Sequence, residues 1–99
     1  MKPLFIIIKK KYFDAIECGE KKEEYRLITK RWVKLLVGRK YQTIIFQNGY
    51  RKASTKIEVE YLGYEKKIII HEFFGNKETA VFAIKIGKII SKGGLNVTP

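Results

Sequence analysis

The sequence predicts a small α+β domain, two short helices coming early and a curled or barrel-like sheet following. Three observations point there. Apolar residues at helical spacing occur only before Gly38, each such stretch ending on a glycine. The later chain switches to period-two alternation punctuated by turn residues. The 99 residues are 45% hydrophobic, with six Phe, six Tyr and one Trp, enough for one modest core. Residues 1–99 therefore read as a single domain.

Leu4 to Ile8 is a continuous apolar run rich in β-branched residues, expected as a strand buried on both faces. In the segment from Lys10 to Cys18, the apolar Tyr12, Phe13, Ala15 and Ile16 share one helical face, and Gly19 supplies the stop. Lys21 to Ile28 reads as the second strand. Thr29 is placed to cap a second helix, Lys30 to Val37, whose Trp32, Leu35 and Leu36 have i, i+3, i+4 spacing. Gln42 to Gln47 reads as a strand closed by the turn signal Asn48-Gly49. Thr55 to Leu62 alternates cleanly, with Ile57, Val59 and Tyr61 on one face. Lys67 to Phe74 is expected as a further strand, and Ala80 to Ile86 as a late one with Phe82, Ile84 and Ile86 inward. Residues 92–99 contain Gly93-Gly94 and little apolar content, which predicts a loose tail.

Lysine and arginine number 21 against 10 acidic residues, a formal charge of +11. An excess that large on so small a surface attracts polyanions, and nucleic acid is the first candidate partner. The single cysteine, Cys18, excludes an intramolecular disulfide and a Cys-rich zinc site, and its position suits packing better than catalysis. No metal or cofactor is expected. No apolar run approaches the ~20 residues a membrane span needs. Charge returns at Lys9-Lys10-Lys11 without a signal-peptide cleavage pattern, so a cytoplasmic protein is expected.

The densest chemistry lies at Gly19-Glu20-Lys21-Lys22-Glu23-Glu24-Tyr25-Arg26. Strand alternation puts Lys22, Glu24 and Arg26 on one face, with Lys21, Glu23 and Tyr25 on the other. A strand leaving a tight turn often breaks parity at its start, which would bring Lys21 to Glu24 and Arg26 at the mouth of a cleft. A lysine and a carboxylate at short range perturb each other, one route to a base, a nucleophile or a phosphate clamp. A structural ion-pair ladder is the plainer reading of the same residues.

The spacing Gly19-x-Lys21-x-x-Glu24-x-Arg26 resembles the G-x-K-x-x-E-x-R signature of ASCH domains, a PUA-like family. Its setting is similar too: an apolar strand, an aromatic-bearing helix ending on glycine, then the motif strand. Ile45-Phe46-Gln47-Asn48-Gly49-Tyr50 and Val81 to Gly87 resemble the strand-and-turn and the closing strand of small prokaryotic and phage members. The resemblance implies a PUA-like β-barrel with helices beside it and a cleft that takes RNA or a nucleotide. Carried over, Lys21, Glu24 and Arg26 become the site candidates, with Gly19 as the turn that positions them. Lys21 would act on phosphate or a carbonyl, Arg26 would hold phosphate by its planar fork, and Glu24 would orient a cation or accept a proton; Arg26 reads equally as a strut paired with Glu24. Some ASCH proteins of this length are amidohydrolases acting on N4-acetylcytidine, and one type is described as a ribonuclease. The amidohydrolase set is a lysine, a threonine and a glutamate. Lys21 matches the lysine, Glu24 occupies the threonine position, and Glu72 or Glu78 is the candidate for the glutamate. Lys21 and Glu24 would be the catalytic residues if the chain is an enzyme.

Outside the motif, Lys30, Arg31 and Lys34 on the second helix, with Lys9, Lys10, Lys11, Arg39 and Lys40, are expected to form a positive rim. Tyr50, beside Arg51, is placed to stack on a base. Trp32 is assigned to the core by its helical spacing, and the lone His71 to a structural role. The readings in competition are an RNA- or nucleotide-binding domain, a small hydrolase, and a protein-interaction module with a basic surface. Exposed strand edges leave a monomer or a weak dimer open.

Overall fold

A computed structural model describes residues 2–51 and 53–93 of the chain. Two helices, α1 (Lys10–Glu17) and α2 (Lys30–Leu36), accompany the strands β1 (Leu4–Ile8), β2 (Glu23–Leu27), β3 (Thr43–Asn48), β4 (Lys56–Ile70) and β5 (Glu78–Gly93). The strands form one mixed sheet in the order β1-β3-β4-β5-β2, with β1 parallel to β3 and every other pairing antiparallel. The α+β class is as expected. The sheet is not closed by a ladder: β1 and β2 are its two edges.

The helices cover one face. Phe13 and Ile16 of α1 and Trp32 and Leu36 of α2 pack with Leu4, Ile6, Ile44, Phe46, Ile57, Val59, Phe82 and Ile84 into one core. Thr29 caps α2, its hydroxyl accepting from the Trp32 N–H at 3.3 Å. Among the described residues, no helix is long and apolar enough to cross a membrane.

Several elements depart from the expectation. In β1, Leu4, Ile6 and Ile8 are buried but Phe5 is 47% exposed, because an edge strand is covered on one face only. The runs expected as separate strands at Thr55–Leu62 and Lys67–Phe74 are one strand, β4. Gly63 takes a φ of 96°, accessible to glycine, and its region carries register shifts that bend the strand without ending it. Phe73 and Phe74 leave the sheet for a 3₁₀ turn, Glu72–Phe74. Strand β5 runs beyond Ile86, pairing Ile89 with Val59 and Gly93 with Lys56, so Lys92 and Gly93 belong to the sheet. The rest of the expected tail, 94–99, lies outside the described residues. Cys18 is exposed rather than packed; it is the C-cap residue of α1, and its thiol donates to the Ala15 carbonyl at 3.5 Å.

Candidate functional site

The site begins at the end of α1. Gly19 has a φ of 85°, which turns the chain, and the Lys21 N–H then donates back to the Ala15 carbonyl at 2.9 Å. This tuck displaces Lys21 from strand parity and sends its side chain to the core face of β2. Glu24 stands on that face opposite Ile84 and is 6% exposed. Its Oε1 lies 3.5 Å from the Lys21 ammonium. Its Oε2 accepts from Arg26 Nε at 2.9 Å and lies 2.8 Å from Nη2. Both oxygens of this buried carboxylate therefore face cations, which is how a charge is kept away from water.

The two cations are fixed in their turn. Lys21 sits 5.3 Å from the Tyr12 ring centroid and 5.1 Å from that of Tyr25. Arg26 lies 5.1 Å over the Trp32 ring, and its Nη2 donates to the Ile7 carbonyl at 3.2 Å. That last bond runs from β2 to β1, so Arg26 bridges the two sheet edges. The strut reading of Arg26 describes what it does in the fold.

A second charged cluster occupies the opposite face of β2. Glu23 pairs with Lys67 at 2.8 Å and with Lys85, and accepts from the Tyr25 hydroxyl at 3.0 Å. Lys85 also reaches Glu65 at 2.8 Å. Burial works against the Glu23 carboxylate, but hydrogen bonds from Lys67, Lys85 and Tyr25 outweigh it and bring its pKa down to about 2. Burial and the Glu23 charge push the Tyr25 phenol up. Glu23 and Glu65 hold Lys85 protonated well above the usual lysine range. The sequence reading missed this cluster, because its partners are gathered from β2, β4 and β5 by register.

The seam between β1 and β2 opens into a cavity of about 440 Å³. Its walls are largely aromatic: Tyr12, Tyr25, Trp32, Tyr50, Phe73 and Phe74 line it. Glu24 and Arg26 stand in one wall and Lys9 and Arg31 are also lining residues, whereas Lys21 supports the wall from behind. Tyr50 is 87% exposed, and its loop is tied down by buried Gln47, whose Nε2 donates to the Gly49 carbonyl at 2.7 Å and the Arg51 carbonyl at 3.1 Å. His71 also lines the cavity. Its Nδ1 accepts from the Phe73 N–H at 3.0 Å. Capping the 3₁₀ turn is the structural role its isolation predicts.

The expected basic rim is only partly gathered. Lys9 lies 5.3 Å over the Phe73 ring, and neither Lys9 nor Arg31 makes an ion pair among the described residues. Lys10 is taken up by Asp14 at 2.6 Å and Lys11 by Glu72. Lys30 and Lys34 line a shallower groove along α2, which Arg31 shares with the cavity. Arg51, Arg39 and Lys40 line neither. Glu72 is spent tying the 3₁₀ turn to α1, and Glu78 starts β5 on the surface; neither reaches the cavity. Among the described residues, no cluster of His, Cys, Asp or Glu could hold a metal ion.

No protein-family model matches the chain, and neither a curated protein nor a solved structure matches it.

Proposed function

We propose that this chain is an ASCH-type, PUA-like domain, a cytoplasmic protein that binds single-stranded RNA or a nucleotide in the seam cavity. On this reading the curled sheet is a PUA-like barrel left open along β1 and β2, with Arg26 strapping the opening. The observation that carries the proposal is the cavity's chemistry. Its lining is rich in aromatic side chains, its one carboxylate is paired with Lys21 and Arg26, and its other cations, Lys9 and Arg31, make no ion pair among the described residues. A ligand suited to it is flat and apolar in its body and anionic at one end. A nucleotide has that form, with its base against the rings and its phosphate on the two cations. At about 440 Å³ the cavity falls within the ~300–1,000 Å³ of small-molecule sites.

The residue set favours binding over hydrolysis. Glu24 is engaged at both oxygens, the Tyr25 hydroxyl donates to Glu23, and the Thr29 hydroxyl caps α2. Lys21 and Glu24 then serve as the charge core of the wall, and Arg26 as its strut.

Trp32 is the chain's single tryptophan and lines the cavity, so its fluorescence reports occupancy directly. Titration with a short single-stranded RNA, and separately with nucleoside monophosphates, is expected to quench it saturably. Fluorescence unmoved by either, with the protein folded, would overturn the assignment of the cavity.

A further inference from the structure

Strand β4 is much longer than the partner on one of its sides. Strand β3 pairs with it only as far as Thr43↔Glu60, and one more bond, Tyr61 N–H to the Gln42 carbonyl at 2.9 Å, closes that side. On the other side β5 follows β4 out to Ile70↔Glu78. The segment from Tyr64 to Ile70 thus has one edge paired with β5 and the other open. Leu62 is 60% exposed, and Ile68 and Ile70 are each 67% exposed. An open edge with exposed apolar residues at its end is a template for another strand, and the Glu65-Lys66-Lys67 run in its middle restricts which strand can pair there.

We infer that this edge pairs antiparallel with the same edge of a second copy of this chain, about a two-fold axis at Lys66. The occupant follows from self-complementarity. With the axis there, Tyr64 lies opposite Ile68 of the other copy. Glu65 lies opposite Lys67, once on each side of the axis. Glu65 and Lys67 stand on the face that carries Glu23 and Lys85, where Lys85 reaches Glu65 at 2.8 Å and Lys67 reaches Glu23 at 2.8 Å. The pairing therefore joins the two charge clusters into one ladder of alternating sign. Lys66 meets its own copy on the axis. That opposition, with +11 on each chain, makes the association weak and reversible. The cavity lies at the β1–β2 seam, and the inference does not depend on what binds there.

The test is sedimentation over a range of concentrations, on full-length protein freed of nucleic acid, at moderate ionic strength. A reversible monomer–dimer equilibrium is expected. Ile68→Lys, at an exposed position, leaves the fold intact and removes one apolar contact from each half, so the association constant falls about a hundredfold. Register is read by cross-linking in a Cys18→Ser background. Under mild oxidation Lys66→Cys is expected to form a covalent dimer and Ile70→Cys is not, because the two copies of Ile70 lie roughly 26 Å apart along the strands. A monomer at every concentration, a dimer indifferent to Ile68→Lys, or cross-linking at Ile70 as ready as at Lys66 would each overturn the inference.

Discussion

Replacing Glu24 by glutamine tests the charge core of the wall without changing its shape. The amide keeps an oxygen for Arg26 but leaves two cations without their counter-charge in a largely dry place: the side chains of Lys21 and Arg26 are 13% and 26% exposed. Breaking a fully buried pair costs about 3–5 kcal/mol; the partial hydration of Arg26 and the conserved shape bring the expectation to about 2–3 kcal/mol. In a domain of this size that lowers Tm by about 10–20 °C. The assay is thermal and urea unfolding of wild type, Glu24→Gln, Lys21→Met and the double variant. If the carboxylate's role is to neutralise these cations, removing Lys21 relieves part of the strain, and the double variant is more stable than the sum of the two losses allows. Strict additivity would refute the reasoning, since Lys21 and Glu24 would then not sense each other.

Glu23 makes acid stability sensitive to a single residue. Its folded-state pKa near 2 lies below the ordinary 4.5, so its contribution is full above about pH 4.5 and is lost as pH falls toward 2. Glu23→Gln should flatten that part of the acid unfolding curve. The expected loss near neutral pH is on the order of 1–2 kcal/mol, discounted because its lysine partners are one-third exposed. Gln47→Ala removes both bonds that tie down the Tyr50 loop, at a cost of about 1–3 kcal/mol if the freed carbonyls stay dry. It should weaken ligand binding through a faster off-rate, read by stopped-flow Trp32 fluorescence. Unchanged kinetics would mean that Tyr50 takes no part in the site.

The sequence carried the local half of the site. Gly19 ends α1 because its backbone conformation favours glycine, and the turn it makes brings Lys21 to Glu24 and Arg26, as the broken parity predicts. Thr29 and the spacing of Trp32 with Leu36 are local signals and hold. What escaped is what depends on register. Glu23 meets Lys85 and Lys67 only because β2, β4 and β5 are adjacent in the sheet. Phe73 and Phe74 look like the end of a strand, whereas His71 caps a turn that swings them onto the cavity. Trp32 does two things at once, packing in the core and presenting its ring to Arg26 and the cavity, so helical spacing reveals only the first. The exposed Phe5 shows the same limit, since an apolar run does not say whether its strand lies at an edge.

The most direct test of the nucleotide reading is the affinity for a short single-stranded RNA at ~50 and ~200 mM salt, for wild type and Lys9→Ala/Arg31→Ala. Two phosphate contacts give a slope near −1.4 in log affinity against log salt, so wild-type binding should weaken about sevenfold over that interval. The double variant, altered only at lining cations that make no ion pair among the described residues, should bind more weakly and lose most of the salt dependence while keeping its Tm. Binding with the same affinity and the same slope in the variant would contradict a phosphate site at this cavity.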